Sequence, residues 1–151
     1  MQLREGGILL RFRATGDIAR VAVPDHAPSE RADELWRTTC FELFWQGEDR
    51  SDYTEINVSP SSRWAAWHFG AYRGPRQDAA VPSISISSAR TDQELILEAH
   101  LAIDLPLPAR IAPTAVIEAA DGSISYWAPA FAPGKPDFHA AECRILTPEP
   151  E

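Results

Sequence analysis

From Glu94 to Ile103 the side chains alternate with a period of two. Leu95, Leu97, Ala99, Leu101 and Ile103 fall on one side, and Glu94, Ile96, Glu98, His100 and Ala102 on the other. An α-helix would scatter that pattern around its axis, whereas a β-strand with one buried face requires it. Pro82–Arg90 (PSISISSAR) shows the same period. Helical periodicity is nearly absent elsewhere, and 13 prolines and 8 glycines cut the chain into short segments. Strands are expected at Gly7–Arg13, Ile18–Val23, Leu35–Trp45, Tyr53–Ser59, Arg63–Phe69, Pro82–Arg90, Glu94–Ile103, Thr114–Ala120, Ile124–Trp127 and Phe138–Leu146. The first two flank a TGD turn and read as a hairpin, and Gly70–Pro82 reads as a loop. About ten short strands with almost no helix predict an all-β fold, an antiparallel β-sandwich of jelly-roll or immunoglobulin-like kind.

At 151 residues a single domain is expected, residues 1–147, followed by a solvated tail, 148–151. The net charge of −8 and a single lysine, Lys135, exclude a nucleic-acid backbone or an anionic membrane surface as partner. The N-terminal apolar run, Ile8–Leu10, is too short for a signal peptide, so the expected location is the cytoplasm. Cys40 and Cys143 lie far apart without a CxxC spacing and read as two semi-buried thiols. The four histidines lack HxH or HExxH spacing, and no phosphate-binding or nucleophile-elbow motif occurs. A haem held by Met and His would need an internal methionine, and the only methionine is Met1. No cofactor is therefore expected.

The chemistry concentrates between Leu35 and Arg73. These 39 residues hold four of the five tryptophans, two of the three tyrosines and three of the six phenylalanines. Glu42, Glu55, Asn57 and Arg63 are interspersed among them. Strand parity assigns Phe41, Leu43, Trp45, Ile56 and Val58 to the core, and Trp36, Glu42, Glu55 and Asn57 to the opposite face, read as an open platform. Aromatic rings beside carboxylate, amide and guanidinium groups suit a sugar, whose ring has apolar C–H faces and equatorial hydroxyls. Trp45, Trp64 and Trp67 read as core, while Trp36 and Trp127 border polar loops. Glu42 and Glu55 also have the form of an acid/base pair for glycoside hydrolysis. An aromatic face of this kind would equally serve a protein-interaction module.

Three segments, LWRTTCFELFW from Leu35, YTEINVSPSSRWAAWHFGAYR from Tyr53 and YWAPAFAPGKPDFH from Tyr126, resemble the DOMON-like proteins related to family 9 carbohydrate-binding modules. The resemblance implies a β-sandwich that holds a small sugar or the end of an oligosaccharide and performs no catalysis. It implies two clamping tryptophans, Trp36 and Trp127, with Glu42 and Arg63 as polar contacts. Glu55, Asn57 and Tyr72 would lie nearby. Apart from the resemblance, GPRQDAAVP and PGKPDFH read first as plain turns and second as a rim with Lys135 and His139 as donors. The late strand, ISYW, lacks the amide expected shortly before its tryptophan. Calcium occurs in such modules. No acidic cluster is visible for it here, and the question is left open, as is the oligomeric state.

Overall fold

A computed structural model describes residues 1–148. Ten strands form two antiparallel sheets. In chain order they are β1 (Gln2–Arg4), β2 (Gly7–Thr15), β3 (Cys40–Gly47), β4 (Tyr53–Val58), β5 (Trp64–Phe69), β6 (Arg76–Asp78), β7 (Ile84–Arg90), β8 (Glu94–Leu101), β9 (Ala109–Glu118) and β10 (Ile124–Trp127). One sheet has the order β1-β2-β8-β7, the other β10-β9-β3-β4-β5-β6. The fold is an antiparallel β-sandwich, as the alternation predicts. Among the described residues no helix is long and apolar enough to cross a membrane.

The alternation of β8 is a consequence of position. Its apolar parity, Leu95, Leu97, Ala99 and Leu101, is buried between the sheets, while His100 is exposed. On the facing sheet, Phe41, Leu43 and Trp45 of β3, with Ile56 and Val58 of β4, complete the core. Trp45 closes one end, donating its indole N–H to the carbonyl of Pro106 at 2.8 Å. Trp45 and Trp64 are core residues; Trp67 is half-buried on the opposite face.

Several expected strands are absent or differently bounded. Ile18–Arg20 is a 3-10 turn with Ile18 buried, not the return arm of a hairpin. The backbone N–H groups of Gly16 and Ala19 donate to the carbonyls of Gln93 and Asp92, so the chain is caught on the β7–β8 loop before it can double back. Leu35–Arg37 is another 3-10 turn, introduced by Glu34 at φ 59°, and the strand begins only at Cys40. The segment 70–82, expected to be a loop, contains β6, an exposed edge strand. In the other direction, β9 begins at Ala109 and runs straight through Pro113. Pro113 faces Leu43 of β3, and on its other flank β10 reaches back only as far as Ala115. Ile111, of the same parity, directs its N–H to that flank, toward Leu146. The missing N–H of Pro113 therefore lies where no ladder partner needs it.

Residues 138–146 form no strand. They cross the outer face of the six-stranded sheet as a strap with one 3-10 turn, Ala141–Cys143, and a single bridge from Leu146 to Ile111. Phe138, Ala140 and Cys143 turn inward onto Phe44, Tyr53, Phe69, Ala112 and Val116, making a second core. Arg144 ties the strap down: its Nε donates to Gln46 Oε1 at 3.0 Å, Nη1 donates to the His139 carbonyl at 3.2 Å, and the guanidinium lies over the Tyr53 ring. The outer face is consequently covered. Tyr53, Glu55 and Asn57 point away from the central core as their parity requires, yet all three are buried. Both cysteines are buried and free. The tail was expected at 148–151; residues 149–151 lie outside the described residues.

Two substitutions separate core from surface. Leu97→Ala, at a site with no exposure, is expected to lower unfolding free energy by about 2–5 kcal/mol in urea titration followed by circular dichroism. Trp127→Ala, at a residue 63% exposed, should change it by less than about 0.5 kcal/mol.

Candidate functional site

Between the strap and the outer face of the six-stranded sheet lies a cavity of about 400 Å³. Its floor is made by two neighbouring strands. Glu42 of β3 stands opposite Asn57 of β4, and Glu55, two residues before Asn57, stands opposite Phe44. Glu42 and Glu55 are therefore diagonal neighbours on one face, with Cα atoms roughly 7–8 Å apart. The walls are aromatic. Trp36 enters from the 3-10 turn before β3, Phe44 and Phe69 rise from the sheet, Tyr126 comes from β10, and Phe138 from the strap. Arg73, Arg76, Asp137 and His139 complete the lining.

Burial is the dominant electrostatic fact of the floor. It pushes the Glu42 carboxyl up to about 8, with the neighbouring charge of Glu55 adding to the shift and a hydrogen bond from Thr114 opposing it. Burial also raises Glu55, against the hydrogen bond from Asn57 and the fields of Arg76 and Arg73. Thr114 Oγ1 donates to Glu42 Oε2 at 3.2 Å, and Asn57 Nδ2 donates to Glu55 Oε1 at 2.9 Å. At neutral pH the pair accordingly keeps one proton, on the Glu42 side. Asn57 Oδ1 is buried without a hydrogen-bond partner among the described residues.

The remaining polar groups form a rim of compensated charges. Arg73 pairs with Asp137 at 2.8 Å, and Tyr72 donates its hydroxyl to the same carboxylate. Burial alone would raise Asp137, but the bonds from Tyr72, Arg73 and the His139 backbone N–H outweigh it and hold this carboxyl below its ordinary value. Arg76 pairs with Asp33 and lies 4.0 Å above the Trp67 ring. His139 is brought down to about 4, chiefly by burial and then by Arg73, so its imidazole is neutral. Its Nδ1 lies 2.8 Å from the Tyr53 hydroxyl, which also accepts the Arg73 backbone N–H at 3.3 Å. Burial keeps Tyr53 protonated. The Tyr53–His139 hydrogen bond forms in either tautomer of the neutral ring, whose Nε2 lies 3.7 Å from Glu55 Oε2.

Of the residues picked out in the sequence, Trp36, Glu42 and Glu55 meet in this cavity. Asn57 stands on the same face beside the pair, donates to Glu55 and does not line the cavity. Tyr72 stands outside, bracing Asp137. Arg63 points elsewhere and pairs with Glu30 at 3.1 Å. Trp127 lies on the reverse side of β10, where it lines a separate apolar cleft of about 510 Å³ with Phe12, Phe41 and Ile117. The two tryptophans therefore do not form a clamp. The register explains why: Trp127 pairs with Ala115, on the side of β9 that faces the other sheet, whereas Tyr126 pairs with Val116, on the outer side. Tyr126 takes the wall position opposite the strap. His139 lines the cavity as its GKPDFH segment suggested, whereas Lys135 does not.

Arg73 and Tyr126 were not picked out in the sequence, and Arg76, Asp137 and Phe138 lie in the two segments read as a rim without being singled out as contacts. Long-range packing alone brings them together. Among the described residues no group of three or more His, Cys, Asp or Glu is placed to hold a metal ion.

No protein-family model matches the chain, and no curated protein matches its sequence. Its fold is similar to that of a "putative carbohydrate-binding protein" from Bacteroides uniformis, with a TM-score of 0.57 over 93% of this chain and 70% of the other. At 15% identity this likeness shows the fold: a shared β-sandwich.

Proposed function

We propose that this chain binds carbohydrate, with one sugar unit occupying the cavity on the outer face of the six-stranded sheet. One observation carries the reading: two carboxyl groups with free acceptor capacity form the floor of a cavity whose walls are aromatic. Rings supply surfaces for sugar C–H faces, and carboxyls accept hydroxyl hydrogen bonds in a site largely shielded from water. The volume of about 400 Å³ falls within the roughly 300–1,000 Å³ usual for small-molecule sites. A fold shared with a protein named for carbohydrate binding supports the same reading. So does the resemblance to DOMON-like proteins related to family 9 modules at the Trp36–Glu42 segment, although Tyr126 replaces Trp127 in the cavity wall.

A second reading, glycoside hydrolysis, draws on the proton held by Glu42, since a carboxyl raised to about 8 has the form of a general acid. Hydrolysis requires carboxyls flanking the scissile bond, and the register of Glu42 and Glu55 on one face fits either reading. What favours binding is the aromatic wall, together with the resemblance and the shared fold.

In calorimetry against a panel of mono- and disaccharides, Trp36→Ala and Glu55→Gln are each expected to weaken binding about tenfold, or about 1.4 kcal/mol. Trp127→Ala should leave affinity unchanged. Turnover of a chromogenic glycoside that vanishes in Glu42→Gln would instead establish hydrolysis.

The raised carboxyl also makes stability depend on pH. An unfolded Glu titrates at about 4.3, so between there and about 8 Glu42 holds a proton that the unfolded chain lacks, while His139, held at about 4, gives the opposite difference below about 6.5. The two offset each other at lower pH, and stability falls as pH rises from about 6.5 to about 8 and levels off above it. Glu42→Gln, which mimics the protonated form, should flatten this slope and melt several degrees above the parent protein at pH 8.5.

A further inference from the structure

The cavity floor has more acceptors than donors. Glu42 is 2% exposed, and the single hydrogen bond it receives among the described residues comes from Thr114 to Oε2, leaving Oε1 at the cavity without a protein donor. Glu55 Oε2 has only the Nε2 of a neutral imidazole nearby, at 3.7 Å, beyond hydrogen-bond length. Asn57 Oδ1, buried beside the pair, has no donor among the described residues either.

Among the described residues no free cation lines the cavity to balance the pair. The guanidinium groups of Arg73 and Arg76 face the cavity but are matched by Asp137 and Asp33. Arg37, beside Trp36, is matched by Glu34. Arg144 lies behind Tyr53, engaged with Gln46 and the His139 carbonyl, and does not line the cavity. His139 is neutral. The floor therefore relies on a bound proton to offset its carboxyls, and its protein surroundings supply no compact cationic donor.

We infer that the ligand class of this site is an amino sugar with a free amine, its ammonium group held between Glu42 and Glu55. The inference rests on the sugar-binding reading above. An ammonium carries three donors and no acceptor, which matches a floor of unfilled acceptors. Each N–H···O⁻ contact would be charge-assisted, at roughly 2.7–2.9 Å. The sugar ring would then lie along the Trp36 and Tyr126 walls. The ammonium replaces the resident proton as the compensating positive charge, so binding expels that proton to solvent. An acetylated amine or a hydroxyl at the same position brings no such charge.

The test is calorimetry of the full chain at pH 6.5 with glucosamine, N-acetylglucosamine and glucose, each in two buffers of different ionisation enthalpy. Glucosamine should bind at least tenfold more tightly than the other two, with release of close to one proton. Glu42→Gln should abolish that advantage. Equal or tighter binding of the neutral sugars, or a glucosamine preference that survives Glu42→Gln, overturns the amino-sugar assignment while sugar binding stands. Binding by none of the three sugars overturns both readings. Displacement of glucosamine by micromolar calcium chloride would overturn the assignment in favour of a divalent-cation site.

Discussion

Two carboxyl groups buried side by side on one sheet are the constraint around which the outer half of this molecule is arranged. Ionised together in a poorly solvated place, Glu42 and Glu55 would cost the fold several kcal/mol. The structure responds in three ways. A proton stays on the pair, Thr114 and Asn57 each supply one donor, and the two Arg that line the cavity, Arg73 and Arg76, are each matched by a carboxylate. The result is a floor that is stable yet incompletely satisfied. Incomplete satisfaction at the bottom of an aromatic-walled cavity is an energetic reservoir that a suitable ligand can release.

The strap makes this chemistry possible. Without residues 138–146, the outer face of the six-stranded sheet would be a solvated platform on which carboxylates titrate normally and hydroxyls gain little over water. Phe138, Ala140 and Cys143 cover it with apolar surface, and Arg144, Asp137 and His139 bind the cover to the sheet. Burial by the strap also sets the neutral state of His139, so the ring orients Tyr53 and adds no positive charge beside Glu55. The sandwich core and the site are thus separate layers: Leu43, Trp45 and Ile56 hold the two sheets together, while Phe44, Tyr53 and Phe69 on the reverse side hold the strap.

The parts legible in the amino-acid sequence are those governed by local periodicity. β8 and β3 could be read because a half-buried strand must alternate, and that rule sorts Leu43 from Glu42 correctly. Trp36, Glu42 and Glu55 were found because they combine aromatic and ionisable character within one short stretch. Periodicity identifies the face of a strand but not what covers it, which is why Glu55 and Asn57 read as an open platform. A strand of four residues with an aromatic at either parity, Tyr126 or Trp127, leaves its register undetermined until β9 is in place. The strap shows the same gap: the spacing of Phe138, Ala140 and Cys143 follows no strand period, because this segment packs across the sheet and not along it.

The state of the floor carboxyls decides whether the site works in this way. Carbon-13 NMR of the side-chain carboxyls of Glu42 and Glu55, followed from pH 3 to pH 10, reads it residue by residue. The expected result is a coupled titration in which the pair gives up its last proton near pH 8, far above a free glutamate at about 4.3. Both carboxyls titrating independently in the ordinary range would contradict it. They would then be hydrated, and the cavity floor would be an ordinary acidic surface.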